Sequence, residues 1–511
     1  MEEIVLKEGR AARLRPFDES GLARGADGAL HYLDLPHSVL DMLRTRVESD
    51  PSHEAVVELD GDRVNYQQLW DRSARVAGGL VAEGVNVGDR VAIRLGNGLD
   101  WVLAFFGTLM AGAVVVPVNT RFQESEVGYI LSDSGATYVF EPGHDLPDGR
   151  AHVHEDLRLN DLAAIFYTSG TTGFPKGAMT THECFLSNVE TCQRVVQLAG
   201  REIRNLVSVP LFHVTGCNSQ LLPTCQLGGT TVIMPTFDVK SFFTVITEER
   251  INLLTSVPAI YWLAMNQPNF DELDVSNIRW LTYGGAPISS DQVLRMKDAF
   301  PNALLGNGFG LTETSSVATY LPHEYSVDHA DTVGFAAPPV ELDLFEPDPI
   351  TGAGELLIRG PNVVPGYWRK PEATEATFQK GWLHSGDVAL LDADGFCTIV
   401  DRKKDMVNRG GENVYSVEVE NVLAGCPGVF EVAVVGVPDD MMGEKVGAIV
   451  VPMPGTEFDP GALVAFAADR LADFKVPQYV QVRADPLPRN AGGKVLKNRL
   501  RDETTWERPL R

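Results

Sequence analysis

Between residues 90 and 283 the chain alternates short β-branched apolar runs with stretches of helical character. That alternation restricts it to layered α/β folds built on parallel sheets. Residues 90–95, 113–119, 137–140, 163–167, 205–210, 230–234 and 278–283 read as strands. Residues 101–118 (WVLAFFGTLMAGAVVVPV) carry no charge over 18 positions, the lower edge of a membrane span. Gly112 divides that run into a helical half and a β-branched half, so it predicts a buried helix followed by a buried strand. From about residue 340 the texture changes: 342–345, 354–359 and 397–401 are closely spaced strands separated by Gly and Pro, as in a small β-rich subdomain. After DRKKD (401–405) comes a compact α+β pattern. It has a helix at 416–424 with Ser416 as candidate N-cap and Glu418 and Glu420 in the first turn, strands at 429–437 and 445–451, and a helix at 460–471. The expected division is a large domain over 1–403 and a smaller one over 404–511.

The charge balance narrows the partners. With 43 basic against 69 acidic residues the chain carries −26, a field that repels nucleic-acid backbones and anionic lipid but leaves room for one local phosphate site. The six cysteines (Cys184, Cys192, Cys217, Cys225, Cys397, Cys426) form no CxxC pair and have no histidine at zinc spacing, which suits a reducing compartment. The first twenty residues have no apolar signal core, so the expected location is the cytoplasm.

The strongest local signal is YTSGTTGFPKGA at 167–178, directly after an apolar run. Thr168, Ser169, Gly170, Thr171, Thr172 and Gly173 are six hydroxyl or glycine residues in a row, with Lys176 close behind. Such a loop surrounds a polyphosphate: backbone N–H groups and hydroxyls donate, glycines permit close approach, and the lysine neutralises charge. It is not a Walker A loop, because Pro175 stands where that pattern needs Gly and Gly177 where it needs Ser or Thr. The competing reading is a ligand-free surface loop between a strand and a helix.

This string resembles the phosphate loop of the adenylate-forming superfamily, which includes acyl- and aryl-CoA synthetases, peptide-synthetase adenylation domains and firefly-type luciferases. The likeness continues in the family's order through GGAPIS (284–289), GFGLTET (308–314), GWLHSGD (381–387), DRKKD (401–405), NRGGENVY (408–415) and PRNAGGKVLK (488–497). The resemblance implies a large N-terminal domain of layered α/β sheets with a β-rich subdomain, and a small mobile α+β C-terminal domain. It also implies ATP and Mg²⁺, with CoA as co-substrate.

Site roles follow from the same likeness and suit the chemistry of the residues. Thr312 offers a hydroxyl to a phosphate, and Glu313 a hard carboxylate oxygen for Mg²⁺. Phe309, where the family usually has Tyr, keeps a face for adenine. Gly284, Gly285, Ala286, Gly308 and Gly310 are the small residues around it, four of which (Gly284, Gly285, Ala286 and Gly308) also bound the acyl site. Asp387 would accept both ribose hydroxyls with Arg402 assisting. Lys494 would place a cation between the substrate carboxylate and the α-phosphate, whereas Lys497 reads as a neighbouring solvated lysine. His213 in PLFHVTG would lie where acyl pocket and thiol tunnel meet. The lack of an acid between Pro210 and Gly216 disfavours an amino-acid substrate. Gly410 and Gly411 would line the CoA tunnel, and Lys404 would be the hinge.

The resulting expectation is an ATP-dependent carboxylic acid–CoA ligase acting through acyl-AMP, with a fatty acid as the leading substrate. An aryl-CoA ligase, a carrier-protein-loading acyl-AMP ligase and a non-catalytic acyl or nucleotide sensor are the alternatives. Retention of Lys176, Glu313, Asp387, Arg402 and Lys494 weighs against the sensor. Expected partners are the acid, ATP and CoA, with no nucleic acid and no integral membrane segment. The oligomeric state is left open, a homodimer being one option.

Overall fold

The computed structural model describes residues 14, 16–168, 175–268, 270–285, 288, 290–410, 412–453, 455–489, 495–506 and 509–511. By packing the chain divides into two units. The first comprises Met1–Asp343, Leu357–His384 and Asp392–Cys397, the second Leu344–Leu356, Ser385–Leu391 and Thr398–Arg511.

Beside a two-stranded ribbon (Leu22–Arg24 with Leu30–Tyr32), two large sheets build the first unit. In the five-stranded one, Ala136–Phe140, Arg90–Ile93, Val114–Pro117 and Leu162–Thr168 run parallel, and Lys176–Thr181 joins antiparallel. The nine-stranded one has a parallel centre ordered Leu304–Phe309, Trp280–Gly284, Leu253–Ser256, Arg204–Val207, Thr230–Ile233, Glu54–Glu58. Antiparallel strands Thr319–Leu321 and Phe335–Ala336 close one side and Arg63–Asn65 the other.

Between these sheets lies the helical half of the uncharged run that the sequence split at Gly112. Leu99–Met110 is a helix in which every residue but Asp100 is buried, as an all-round apolar helix must be. Trp101 and Phe105 stack at 5.4 Å, and the same core takes Val91, Ile93 and Val115 from one sheet and Val56, Val207 and Ile233 from the other. Gly112 takes φ +72° just after the helix, a left-handed turn that leads into strand Val114–Pro117. Truncating Phe105 there would cost about 3–5 kcal/mol. Among the described residues no helix is long and apolar enough to cross a membrane.

The second unit is organised around strand Gly443–Pro452, which pairs with Val429–Asp439, Val407–Arg409 and Tyr479–Val482. Side chains alternate along the hairpin. Val434, Val446, Ala448 and Val450 face a core shared with helices Ser416–Ala424 and Pro460–Ala468, while Ala433, Val435, Ile449 and Val451 pack with Leu487 and Leu500.

Three local expectations are corrected. Ser416 is the first helical residue, not the N-cap; Tyr415 takes that place without a side-chain bond. The reason is Asp401, buried, whose Oδ2 accepts the Ser416 N–H and whose Oδ1 accepts its hydroxyl at 2.9 Å. Glu420 lies beyond the first turn, and its Oε1 accepts the Val434 N–H at 2.7 Å. Lys497 is not solvated: its side chain is 14% exposed, and its ammonium reaches Glu420 Oε1 at 2.7 Å and Ser416 Oγ at 2.6 Å.

Candidate active site

Parallel strands place their carboxyl ends along one sheet edge, where open α/β sheets bind ligands. The ladder pairs Asn205 with Leu253, Leu254 with Leu281 and Gly284 with Gly308, so one edge carries the segments after Val207, Ser256, Gly284 and Phe309. These segments hold His213, Gly285 and Phe309–Glu313. Ala286 lies outside the described residues.

The described residues on either side of the phosphate motif lie in strands, so a strand and not a helix comes next in the chain. Leu162–Thr168 and Lys176–Thr181 pair antiparallel with Thr168 opposite Lys176, and the next helix starts only at His182. Ser169, Gly170, Thr171, Thr172 and Gly173 fall outside the described residues. Beyond the hairpin, Met179 N–H donates to Gly366 O at 3.0 Å and Trp368 N–H to Gly177 O at 2.8 Å. This alignment brings Tyr367 beside Lys176, whose ammonium stands 5.1 Å from the ring centroid. The Tyr367 hydroxyl donates to Glu313 Oε1 at 2.7 Å, and Val364 N–H donates to Glu313 O at 2.9 Å. Two site residues separated by more than a hundred positions thus meet through a third that the sequence reading did not name. Burial and the Glu313 charge push the Tyr367 phenol up, so it stays protonated.

Glu313 sits in the short turn Thr312–Thr314. Thr314 turns inward, its hydroxyl accepting the Leu311 N–H at 2.8 Å with Leu311 O and Ser316 O both in reach of its one proton, while Thr312 is half-buried and points no hydroxyl bond at any described residue. Ser315 and Ser316 both take positive φ, 53° and 121°. Neighbours fix them there: Asn218 Nδ2 donates to Ser315 O at 2.9 Å, Asn362 Nδ2 to Thr314 O at 3.0 Å. Non-glycine residues held this way cost about 1–3 kcal/mol each and cluster at functional sites. Gly310 is required sterically, since a Cβ there would meet Ser316 O at 1.4 Å. Among the described residues no group of three or more His, Cys, Asp or Glu could hold a metal. One hard carboxylate with an oxygen to spare nevertheless fits Mg²⁺, which fills its shell from phosphates and water.

On the acyl side the glycines differ. A Cβ on Gly284 would strike Gly308 O at 2.1 Å, so its smallness serves strand packing, whereas Gly308 has no atom nearer than 3.8 Å. His213 caps the short turn Val214–Gly216, its ring 4.8 Å from that of Phe212. Burial, with the Arg121 charge, lowers its pKa to about 4, so the imidazole is neutral at working pH. A single π-helical turn, Cys217–Leu221, follows, and such turns are frequent at functional sites. Its Ser219 hydroxyl bonds Ser316 Oγ at 2.6 Å.

In the second unit Arg402 Nε stands 3.2 Å from Asp387 Oδ1, the carboxylate itself buried. Lys404 is exposed at the middle of a turn closed by Asp405 N–H to Arg402 O at 2.9 Å. Gly410 opens the two-residue link between Val407–Arg409 and Glu412–Val414, with φ +64° and a would-be Cβ 2.5 Å from Met442 Cε. Gly411 and Lys494 lie outside the described residues.

Comparison with known proteins agrees with this geometry. Residues 43–368 match the family model of the AMP-binding enzymes, and 418–494 that of the AMP-binding enzyme C-terminal domain. The chain belongs to the AMP-binding enzyme family, the adenylate-forming class to which its motifs pointed. It is 37% identical to a feruloyl-CoA synthase of Amycolatopsis over 88% of this chain and 96% of that one. It is 36% identical to the long-chain-fatty-acid–CoA ligase FadD13 of Mycobacterium tuberculosis over 90% and 97%. Among solved structures, the o-succinylbenzoate CoA synthetase MenE of Bacillus subtilis with ATP and magnesium ion superposes with a TM-score of 0.82 at 29% identity, covering 90% of this chain and 99% of that one.

Proposed function

We propose that the chain is an AMP-forming carboxylic acid–CoA ligase working through an acyl-AMP. In the first half-reaction the acid's carboxylate oxygen attacks the α-phosphorus of ATP and pyrophosphate departs. Thr168, Lys176 and Thr312 hold phosphate oxygens, together with Ser169, Gly170, Thr171, Thr172 and Gly173. Phe309 offers its face to adenine, and Asp387 with Arg402 holds the ribose hydroxyls. Glu313 would hold Mg²⁺, which when bound neutralises the crowded phosphate charge. Lys494 places its cation between the two anions that must meet. In the second half-reaction the CoA sulfur attacks the acyl carbonyl, its proton is lost, and AMP leaves with the bonding pair. We assign His213, as a neutral group, and Gly410 with Gly411 to that step, and the hinge to Lys404. The boundary at 403/404 is part of this proposal.

The observation that carries the reading is the meeting of Lys176 and Glu313 at Tyr367, on a sheet edge suited to a nucleotide. A fatty acid remains the first substrate reading, supported by the likeness to the mycobacterial fatty-acid ligase. An oxygenated aryl acid is the second, favoured by the Ser219–Ser316 hydroxyl pair beside the turn that follows His213 and by the likeness to feruloyl-CoA synthase. That all six cysteines are buried supports a cytoplasmic location. The test is mass spectrometry of products formed from ATP, Mg²⁺, CoA and matched fatty and cinnamate-type acids. An acyl-CoA from one class names the substrate; acyl-AMP that never becomes acyl-CoA refutes the ligase reading.

A further inference from the structure

Lys176 and Glu313 are opposite charges on neighbouring segments, yet no ion pair joins them among the described residues. Left to themselves, an ammonium and a carboxylate at a half-buried site would pair, because the local dielectric strengthens their attraction. Such a pair would remove the cation from phosphate oxygens and the carboxylate from a metal. Tyr367 engages both and neutralises neither. Its ring holds the ammonium by cation–π attraction, and its hydroxyl occupies a single carboxylate oxygen. Among the described residues Glu313 Oε2 has no hydrogen-bond partner. A phenol donates a hydrogen bond without bringing a formal charge, so it does not neutralise the carboxylate as an ammonium would.

The structure fixes Tyr367 firmly enough for this task. The residue is 6% exposed. It is bridged to Ala178 on the hairpin strand and packed edge-on against Phe378 at 5.5 Å. Its N–H donates to Thr374 Oγ1 at 3.0 Å.

We propose that Tyr367 is a positioning residue that keeps Lys176 and Glu313 apart, aiming one at phosphate and leaving the other open to Mg²⁺. This rests on the ligase reading for its chemistry, but not for its test. Tyr367→Phe keeps the ring and removes the hydroxyl, while Tyr367→Leu removes both contacts. In wild type and variants, two quantities are measured: the Mg²⁺ dependence of ATP binding by calorimetry, and the rates of the two half-reactions. For Tyr367→Phe the half-saturating Mg²⁺ should rise about 3- to 10-fold, the scale of one net hydrogen bond. Adenylation at saturating Mg²⁺ and thioester formation from supplied acyl-AMP should stay near wild type. For Tyr367→Leu the ATP dissociation constant should also rise, as Lys176 is released.

A purely structural tyrosine would instead lower both half-reactions together with the melting temperature, and that pattern overturns the proposal. Unchanged Mg²⁺ dependence in both variants overturns it as well. If wild type binds ATP with a Mg²⁺ dependence that Tyr367→Phe weakens, yet no acid is ever activated, the positioning role stands and the ligase reading falls. If wild type shows neither Mg²⁺-dependent ATP binding nor turnover, both fall.

Discussion

Replacing Lys497 by Met keeps most of the hydrocarbon stem and removes the ammonium that sits between Glu420 and Ser416. The Lys497 and Glu420 side chains are 14% and 18% exposed, so solvent screens the pair only weakly. Breaking a buried pair from one side costs about 3–5 kcal/mol because the other charge stays behind. The residual exposure places the expected loss at the lower end, about 3 kcal/mol. Burial raises the pKa of both Glu420 and Asp401, and the Lys497 charge opposes that rise. Without the ammonium both folded-state values move further above the unfolded ones, so the folded form binds more protons than the unfolded form. Stability then falls as pH rises from the ordinary carboxylate range through the raised values, and the defect shrinks in acid. Hydrogen exchange of helix Ser416–Ala424 gives the local readout: about 3 kcal/mol corresponds to roughly two decades faster exchange at pH 7.5, and less at pH 5. Adding Glu420→Gln should restore part of the loss, since no unpaired carboxylate then remains at that position. Exchange and denaturant midpoints indistinguishable from wild type at both pH values would show that Lys497 is a surface lysine and that this reasoning fails.

Other outcomes follow from the same structure. Lys494→Ala should slow adenylation by about 10²–10³ while leaving thioester formation from supplied acyl-AMP largely intact; equal loss in both half-reactions contradicts its assigned role. Lys404→Pro, which restricts the backbone at the proposed hinge, should impair the thioester step more than adenylation, as single-turnover rates will show. His182 is fully buried, its pKa lowered to about 4 mainly by burial, and its Nδ1 accepts the Val39 N–H at 3.2 Å. The unfolded chain therefore takes up this proton first, and stability falls as pH drops from 6.5 toward 4, by about 3 kcal/mol from this group. Denaturant titrations across that range should flatten in His182→Gln.

The parallel strands were legible because β-branched runs buried on both faces leave a local signature, as at Val114–Pro117 and Thr230–Ile233. The split of the uncharged run at Gly112 was legible for the same reason: a glycine stop is local chemistry. Long-range partners were not. The Tyr367 hydroxyl meets a carboxylate 54 residues away, and the Lys497 ammonium meets a hydroxyl 81 residues away. Ser416 has the composition of an N-cap, but Asp401, on strand Cys397–Arg402, supplies two better acceptors. The hairpin strand Lys176–Thr181 escaped notice because KGAMTT has no apolar alternation; it is set by pairing with Leu162–Thr168. The motifs revealed which residues matter, and the fold revealed which of them touch.

The most direct test of the central claim is pyrophosphate release with ATP, Mg²⁺ and a panel of fatty and aryl acids, each with and without CoA. The account predicts sustained, acid-dependent release that requires CoA, since thioester formation clears acyl-AMP from the site. Acid-dependent release that stops after one turnover and is indifferent to CoA would contradict it.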